Sequence, residues 1–84
     1  MDNKKSIHSP EYSELIQWIT QERKRLGLSQ AEVGKALGMS QSDISKIENQ
    51  ERRIDILEFK NLILIYRVSD NFKLKNYIKN YFGI

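Results

Sequence analysis

Four polar side chains between positions 41 and 46 have the chemistry needed to contact the edges of DNA bases. They are Gln41, Ser42, Ser45 and Lys46, and they share one side of a predicted helix because residues three and four apart are neighbours on a helix surface. A glutamine amide donates and accepts at once and suits adenine, a serine hydroxyl can do either, and a lysine suits guanine or a phosphate. We interpret the four as base contacts, with a solvated serine near a helix cap as the alternative for Ser42.

The element that positions these side chains is predicted to be two short helices joined by a tight turn. Ser29 and Glu32 can form a capping box, and Ser40 and Asp43 can form a second one eleven residues later. Two N-terminal caps this close together cannot belong to one continuous helix. Gly38 lies between them, where a positive φ angle can end the first helix at no steric cost.

We place these two helices at about residues 30–37 and 41–49. Helices of eight or nine residues are marginal in water on their own, so packing must hold them together. Their apolar residues are spaced to face one shared interior, and a small glycine suits the close crossing of two helices. The predicted interior residues are Val33, Gly34, Leu37, Met39, Ile44 and Ile47.

A longer helix is predicted before this pair. Ser9 can cap it, Pro10 suits its first position, and Gly27 ends it. We expect Trp18 to belong to the core or to a subunit contact rather than to a base-stacking platform. The predicted buried stripe contains Leu15, Ile19 and Leu26, with Ile16 or Trp18 beside them.

Two more helices are predicted after the pair. Asp55 can cap one over about residues 56–68, which is apolar nearly all round. Such a helix should be covered on more than one side, by the core on one side and by the last helix or a partner on the other. The last helix spans about residues 71–82, and its apolar stripe either closes the domain's own core or pairs with its copy in a second subunit. The surplus of apolar area on the preceding helix favours the dimer. The candidate dimer-interface residues are Leu74, Tyr77, Ile78, Tyr81 and Phe82.

Length and composition limit the functions open to this chain. Eighty-four residues make one small domain with little room for a deep substrate pocket. Without cysteine, with one histidine and without a glycine-rich phosphate loop, we expect no enzyme, no catalytic residue, no metal and no cofactor. We expect a cytoplasmic protein that does not use a membrane, because no apolar run approaches about 20 residues and the start lacks the apolar segment of a signal peptide. The net charge of +3 permits nucleic-acid binding.

The sequence resembles the Cro/repressor-type helix-turn-helix family, also called the XRE family. The residues that carry the resemblance are the run 26–32 (Leu-Gly-Leu-Ser-Gln-Ala-Glu), then Gly38, Ile44, Ile47 and Glu48. It covers roughly residues 15–68. The resemblance implies an all-α, five-helix lambda-repressor-like DNA-binding domain, in which helices 2 and 3 form the helix-turn-helix and double-stranded DNA is the partner.

The resemblance also implies roles for individual residues. Gln30 would contact the phosphate backbone and brace Gln41, and Arg23 would form a structural ion pair with Glu48. In place of the glycine that is usual in the family after position 49, this chain has Gln50. Our further candidates for phosphate contacts are Asn49, Arg52 and Arg53.

These observations predict a sequence-specific transcriptional regulator. We divide the chain into a flexible N-terminal arm (residues 1–8), a helix-turn-helix domain (residues 9–68) and a C-terminal helix (residues 69–84). The leading hypothesis is a homodimeric repressor that binds a near-palindromic operator through helix 3 in the major groove. The alternative is an antitoxin-type regulator that also binds a partner toxin protein through its C-terminal helices.

Overall fold

The computed structural model describes residues 9–84, which form five α-helices and one short 3-10 helix. The predicted all-α, five-helix class is confirmed, whereas the predicted N-terminal arm lies outside the described residues. Within residues 9–84, no helix is both long enough and apolar enough to cross a membrane. The helices are α1 (Pro10–Arg25), α2 (Gln30–Leu37), α3 (Gln41–Glu48), α4 (Ile56–Ile65) and α5 (Phe72–Phe82), with the 3-10 helix (Val68–Asp70) before α5.

Helix α1 begins and ends where its caps predict. The Ser9 hydroxyl accepts from the Tyr12 amide at 3.2 Å, Pro10 occupies the first helical position, and Gly27 has a φ angle of +73°. The prediction for Leu26 was wrong, because this side chain follows the last residue of α1 and is exposed. The buried residues of α1 are Tyr12, Leu15, Ile16, Ile19, Glu22 and Arg23.

Both predicted capping boxes are present and set the bounds of the helix pair. The Ser29 hydroxyl accepts from the Glu32 amide at 3.0 Å while the Glu32 carboxylate accepts from the Ser29 amide at 2.8 Å. Ser40 and Asp43 make the equivalent two bonds at 3.0 and 3.2 Å. Gly38 has a φ angle of +71°, so the chain turns sharply between α2 and α3.

Gly34 is required by the turn rather than by the crossing of two helices. A methyl group at this position would lie 2.7 Å from the Met39 carbonyl oxygen and 3.1 Å from the Ser40 carbonyl carbon. The Met39 amide donates to the Gly34 carbonyl at 2.7 Å, so this contact is between two rigid backbone segments. Only glycine lets the turn lie this close to α2.

We expect Gly34→Ala to destabilise the fold by about 1–3 kcal/mol, the usual cost of overpacking. The higher helix propensity of alanine, about 1 kcal/mol, opposes this loss without cancelling it, because the obstructing atoms belong to the backbone. Urea unfolding followed by circular dichroism measures the change. Lys35→Ala, at the exposed neighbouring position, is the control and should stay within about 0.5 kcal/mol of the parent. A Gly34→Ala variant as stable as the parent would contradict the prediction.

Helix α4 is shorter than predicted, and one of its sides packs against the core. It ends at Ile65 because Arg67 adopts a left-handed conformation with a φ angle of +53°. Phe59, Leu62 and Tyr66 face the core. Three of the remaining apolar side chains are mostly exposed in the single chain, so α5 does not cover them and a second cover for α4 would have to come from a partner; they are Ile56, Leu57 and Leu64.

Helix α5 closes the core of its own chain. The Asn71 side chain accepts from the Leu74 amide at 3.2 Å and donates to the buried Glu22 carboxylate at 3.0 Å, which attaches the start of α5 to α1. Trp18 stacks on Tyr77 with ring centroids 4.7 Å apart. Leu74 is 1% exposed, so its assignment to a dimer interface was wrong. It lies in the interior because it sits on the side of α5 that packs against α1 and belongs to the same buried cluster.

Candidate nucleic-acid interface

Helix α3 presents one polar side to solvent and one apolar side to the core. Gln41, Ser42 and Lys46 are exposed, and Ser45 is half-buried. Ile44 and Ile47 are each 4% exposed and hold the helix from behind. The structure therefore places the four predicted base-contact residues on the outer side of a helix whose rotation is fixed by packing.

A bidentate ion pair attaches the end of α3 to α1. Arg23 Nε donates to Glu48 Oε2 at 2.7 Å, and Arg23 Nη2 donates to Glu48 Oε1 at 2.9 Å. The third guanidinium nitrogen donates to the Leu28 carbonyl at 2.8 Å. The two side chains are only 11% and 9% exposed, and the hydrogen bonds to Glu48 raise the pKa of Arg23. The structure thus brings together the two residues that the resemblance pairs.

Two glutamines extend this ion pair to the start of α3. Gln30 Nε2 donates to Glu48 Oε1 at 2.9 Å, and Gln41 Nε2 donates to Gln30 Oε1 at 2.7 Å. We call Arg23, Glu48, Gln30 and Gln41 the polar network. The bond between Gln30 and Glu48 was missed at the sequence level, because eighteen residues separate the two and no local pattern signals it.

Gln50 replaces the usual glycine in the left-handed conformation that ends α3. Its φ angle is +61°, and its amide donates to the Ile47 carbonyl at 3.0 Å while the Glu51 amide donates to the Lys46 carbonyl at 2.8 Å. These two bonds are a Schellman motif. The Gln50 side chain accepts from the Ser13 hydroxyl at 2.6 Å, which adds a contact to α1 that glycine cannot make. Because the motif uses the backbone amides of Gln50 and Glu51, a phosphate at this end of α3 would have to be contacted by side chains.

The remaining phosphate candidates differ in how freely they can contact DNA. Arg52 donates two hydrogen bonds to the Glu58 carboxylate, at 3.0 and 2.8 Å, so its guanidinium is already engaged. Arg53 is exposed. Asn49 is also exposed and donates to the Ser45 hydroxyl at 3.4 Å. Arg53 and Asn49 therefore have more capacity for a phosphate than Arg52 has.

The hydrogen-bonded carboxylates of Glu22 and Glu58 lead us to expect that the fold loses stability in acid. Hydrogen bonds from Arg25 and Asn71 lower the pKa of Glu22, and those from Arg52 lower the pKa of Glu58. A carboxylate whose pKa is lowered on folding stabilises the protein fully at pH values above its ordinary pKa of 4.5. It loses that contribution as the pH falls through its lower pKa in the folded protein.

We expect the melting temperature to be steady from neutral pH to about pH 5 and to fall below the ordinary glutamate pKa, about 4.5. Thermal melts across a pH series measure this. Glu58→Gln should flatten part of the fall, whereas Glu51→Gln, at an exposed position, should reproduce the parent curve. A parent melting temperature that stays level from pH 5 to pH 3 would contradict the prediction.

Comparison with known proteins agrees with this geometry. A family model described as helix-turn-helix matches residues 19–72, which include the end of α1, the whole of α2, α3 and α4, and the 3-10 helix. No curated protein matches the chain.

Proposed function

The chain belongs to the Cro/repressor-type helix-turn-helix family of DNA-binding transcription regulators, and from this premise we propose that it is a homodimeric repressor of a near-palindromic operator. One observation carries the proposal: α3 is held by its apolar side and exposes Gln41, Ser42 and Lys46 on the other. A helix in this position fits the major groove, where its N-terminal residues contact base edges while the preceding helix crosses the backbone.

Gln41 is the principal base contact in this proposal. One N–H of its amide is bonded to Gln30, which leaves the second N–H and the Oε1 atom for DNA. One donor and one acceptor are what adenine requires at N7 and N6 in the major groove. Ser42 and Lys46 extend the contact along α3. Gln30, at the start of α2, lies where backbone amides and the helix dipole favour a phosphate oxygen.

Energetics favour two copies on one operator. A good bidentate base contact discriminates by about 1–3 kcal/mol, so two or three contacts from one α3 supply about 2–9 kcal/mol, the lower part of which falls short of specific binding. Specific DNA binding commonly exceeds non-specific binding by about 4–10 kcal/mol. Two copies bound to half-sites about 34 Å apart reach that range comfortably. We therefore propose a homodimer that occupies two symmetric half-sites.

The C-terminal end of α5 is the surface that we propose for the dimer. Phe82 is 49% exposed although it lies next to the core, with its ring centroid 6.1 Å from that of Phe59. It lines a groove of about 210 Å³ together with Tyr81 and the exposed Ile56. A second copy would cover this apolar surface, which a small protein rarely leaves in water.

We expect Phe82→Glu to convert the dimer to a monomer, because it would place a charge in the apolar interface. Size-exclusion chromatography with light scattering gives the mass directly. Phe72→Glu is the matched control: Phe72 is a more exposed aromatic residue at the opposite end of α5, 74% exposed, and its substitution should leave a dimer. If both variants remain dimeric, or if the parent is a monomer at micromolar concentration, this interface is wrong.

Selection of bound sites from random double-stranded DNA tests the proposed function as a whole. The expected result is a near-palindromic sequence with half-sites separated by one helical turn. Enrichment of no sequence would contradict specific binding, and enrichment of a single unrepeated site would contradict the symmetric dimer.

A second candidate function rests on another exposed apolar surface. Leu64 is 65% exposed and borders a groove of about 340 Å³ that Ile63, Val68 and Ile78 also line. This surface suits an antitoxin-type regulator that binds a partner toxin through its C-terminal helices. Light scattering discriminates the two, because a chain that needs a partner protein would be monomeric and would expose both grooves.

A further inference from the structure

We propose that Glu48, which does not touch DNA in this arrangement, is a positioning residue that makes Gln41 select adenine over guanine. The inference rests on the proposed function, because it assumes that Gln41 contacts a base. It follows from the hydrogen-bond directions in the polar network, which leave only one orientation for each of the two glutamine amides.

Glu48 sets the direction of the hydrogen bonds in the polar network. An ionised carboxylate accepts hydrogen bonds and donates none, and the guanidinium of Arg23 lies on both of its oxygens, at 2.7 and 2.9 Å. Gln30 must therefore present its Nε2 atom to Glu48, and it does so at 2.9 Å. The Glu48 side chain is 9% exposed, so water competes little for these bonds.

The orientation of the Gln30 amide then determines that of the Gln41 amide on α3. With Nε2 of Gln30 directed at Glu48, the Oε1 atom of Gln30 faces Gln41 and can only accept. Gln41 must therefore donate through its own Nε2, at 2.7 Å. This leaves one N–H and one carbonyl oxygen of Gln41 for DNA, which matches the acceptor and donor of adenine.

The opposite orientation would favour a different base. If Gln30 donated to Gln41, both N–H groups of Gln41 would remain available, and two donors match the N7 and O6 acceptors of guanine. Glu48 excludes this arrangement because it would place the Oε1 atom of Gln30 against a carboxylate. Glu48→Gln would permit both orientations of the Gln30 amide, since an amide at position 48 can donate or accept.

The test is the ratio of affinities for two operators. The first is the selected operator, and the second has guanine in place of adenine at the position whose base preference Gln41→Ala abolishes. The parent protein should prefer adenine by about tenfold or more. Glu48→Gln should reduce this ratio to within about twofold of unity. The ratio is unaffected by loss of folded protein, because the folded fraction multiplies both affinities equally.

Gln30→Ala supplies a second variant that leaves the ion pair between Arg23 and Glu48 in place. It should relax the ratio as Glu48→Gln does, and the double variant should relax it no further, because both changes interrupt the same series of bonds. Lys35→Ala, an exposed change on α2, is the control and should keep the parent ratio.

Each contrary outcome has a distinct meaning. If Gln41→Ala changes the preference while Glu48→Gln and Gln30→Ala keep the parent ratio, the proposed function stands and the role of Glu48 is overturned. If only Gln30→Ala relaxes the ratio, Glu48 is structural and the inference is again overturned. If Gln41→Ala alters no base preference, the assignment of α3 itself fails, and the inference fails with it.

Discussion

Replacing Gln41 with alanine is expected to weaken binding to the selected operator by roughly 30-fold or more, while affinity for unrelated DNA changes little. The loss is about 1–3 kcal/mol for each bidentate base contact, and a dimer loses two such contacts. About 1.4 kcal/mol corresponds to a factor of ten in the dissociation constant. Non-specific affinity should persist because it comes from phosphate contacts, and Gln41 lies at the outer side of α3.

Fluorescence anisotropy with labelled operator and a scrambled duplex, at one fixed salt concentration, measures both affinities. Gln17→Ala is the matched control, since it removes an exposed glutamine from α1, where it lines a different surface with Trp18. That variant should bind like the parent. If Gln41→Ala and Lys46→Ala both bind the operator as tightly and as selectively as the parent, α3 is not the helix that contacts the bases.

The parts of the fold that depend on local chemistry could be predicted from the sequence. A capping box requires only two suitable residues three apart, so Ser29 with Glu32 and Ser40 with Asp43 identified the starts of α2 and α3. Gly38 likewise marked the end of α2, because few other residues adopt its φ angle of +71°. With both ends set, the spacing of the apolar residues determined which side of α3 faces outward.

Properties that depend on distant parts of the chain could not be predicted in this way. A stripe of apolar residues shows that a helix must be covered, but it does not show by what; the fold buries Leu74 and leaves Phe82 half-exposed on the same helix. Arg52 and Arg53 are identical in type and adjacent, and only the position of Glu58 engages one of them. Leu26 fits the apolar period of α1 but lies beyond its last residue.

The contacts within the polar network also join residues far apart in the sequence, so local patterns could not predict them. The pairing of Arg23 with Glu48 came from resemblance to a family, since 25 residues separate the two and no spacing rule connects them. The bond from Gln30 to Glu48 had no signal of either kind. Its consequence for Gln41 becomes visible only when each donor and acceptor is assigned in three dimensions.

Replacing Arg23 with leucine is expected to destabilise the fold by about 3–5 kcal/mol, the cost of leaving one member of a buried ion pair without its partner. The Glu48 carboxylate, which is 9% exposed in the parent, would keep Gln30 as a donor, and the Leu28 carbonyl would lose the bond from Arg23. A small domain has a free energy of unfolding of only about 5–15 kcal/mol. The change therefore removes a large part of the stability, and urea unfolding followed by circular dichroism measures it.

Two further variants distinguish the loss of stability caused by breaking the buried ion pair from that caused by removing any charge. Arg52→Leu breaks a pair of similar bidentate geometry whose side chains are 36% and 19% exposed, and because solvent weakens such pairs it should cost about 1 kcal/mol or less. The double variant Arg23→Leu with Glu48→Leu removes both charges and should recover much of the loss, since apolar replacements of a buried pair are often nearly neutral. Equal losses for Arg23→Leu and Arg52→Leu would show that burial is not what makes the first pair important. A double variant that is less stable than Arg23→Leu alone would show that Glu48 stabilises α3 through its bond with Gln30 even when Arg23 is absent.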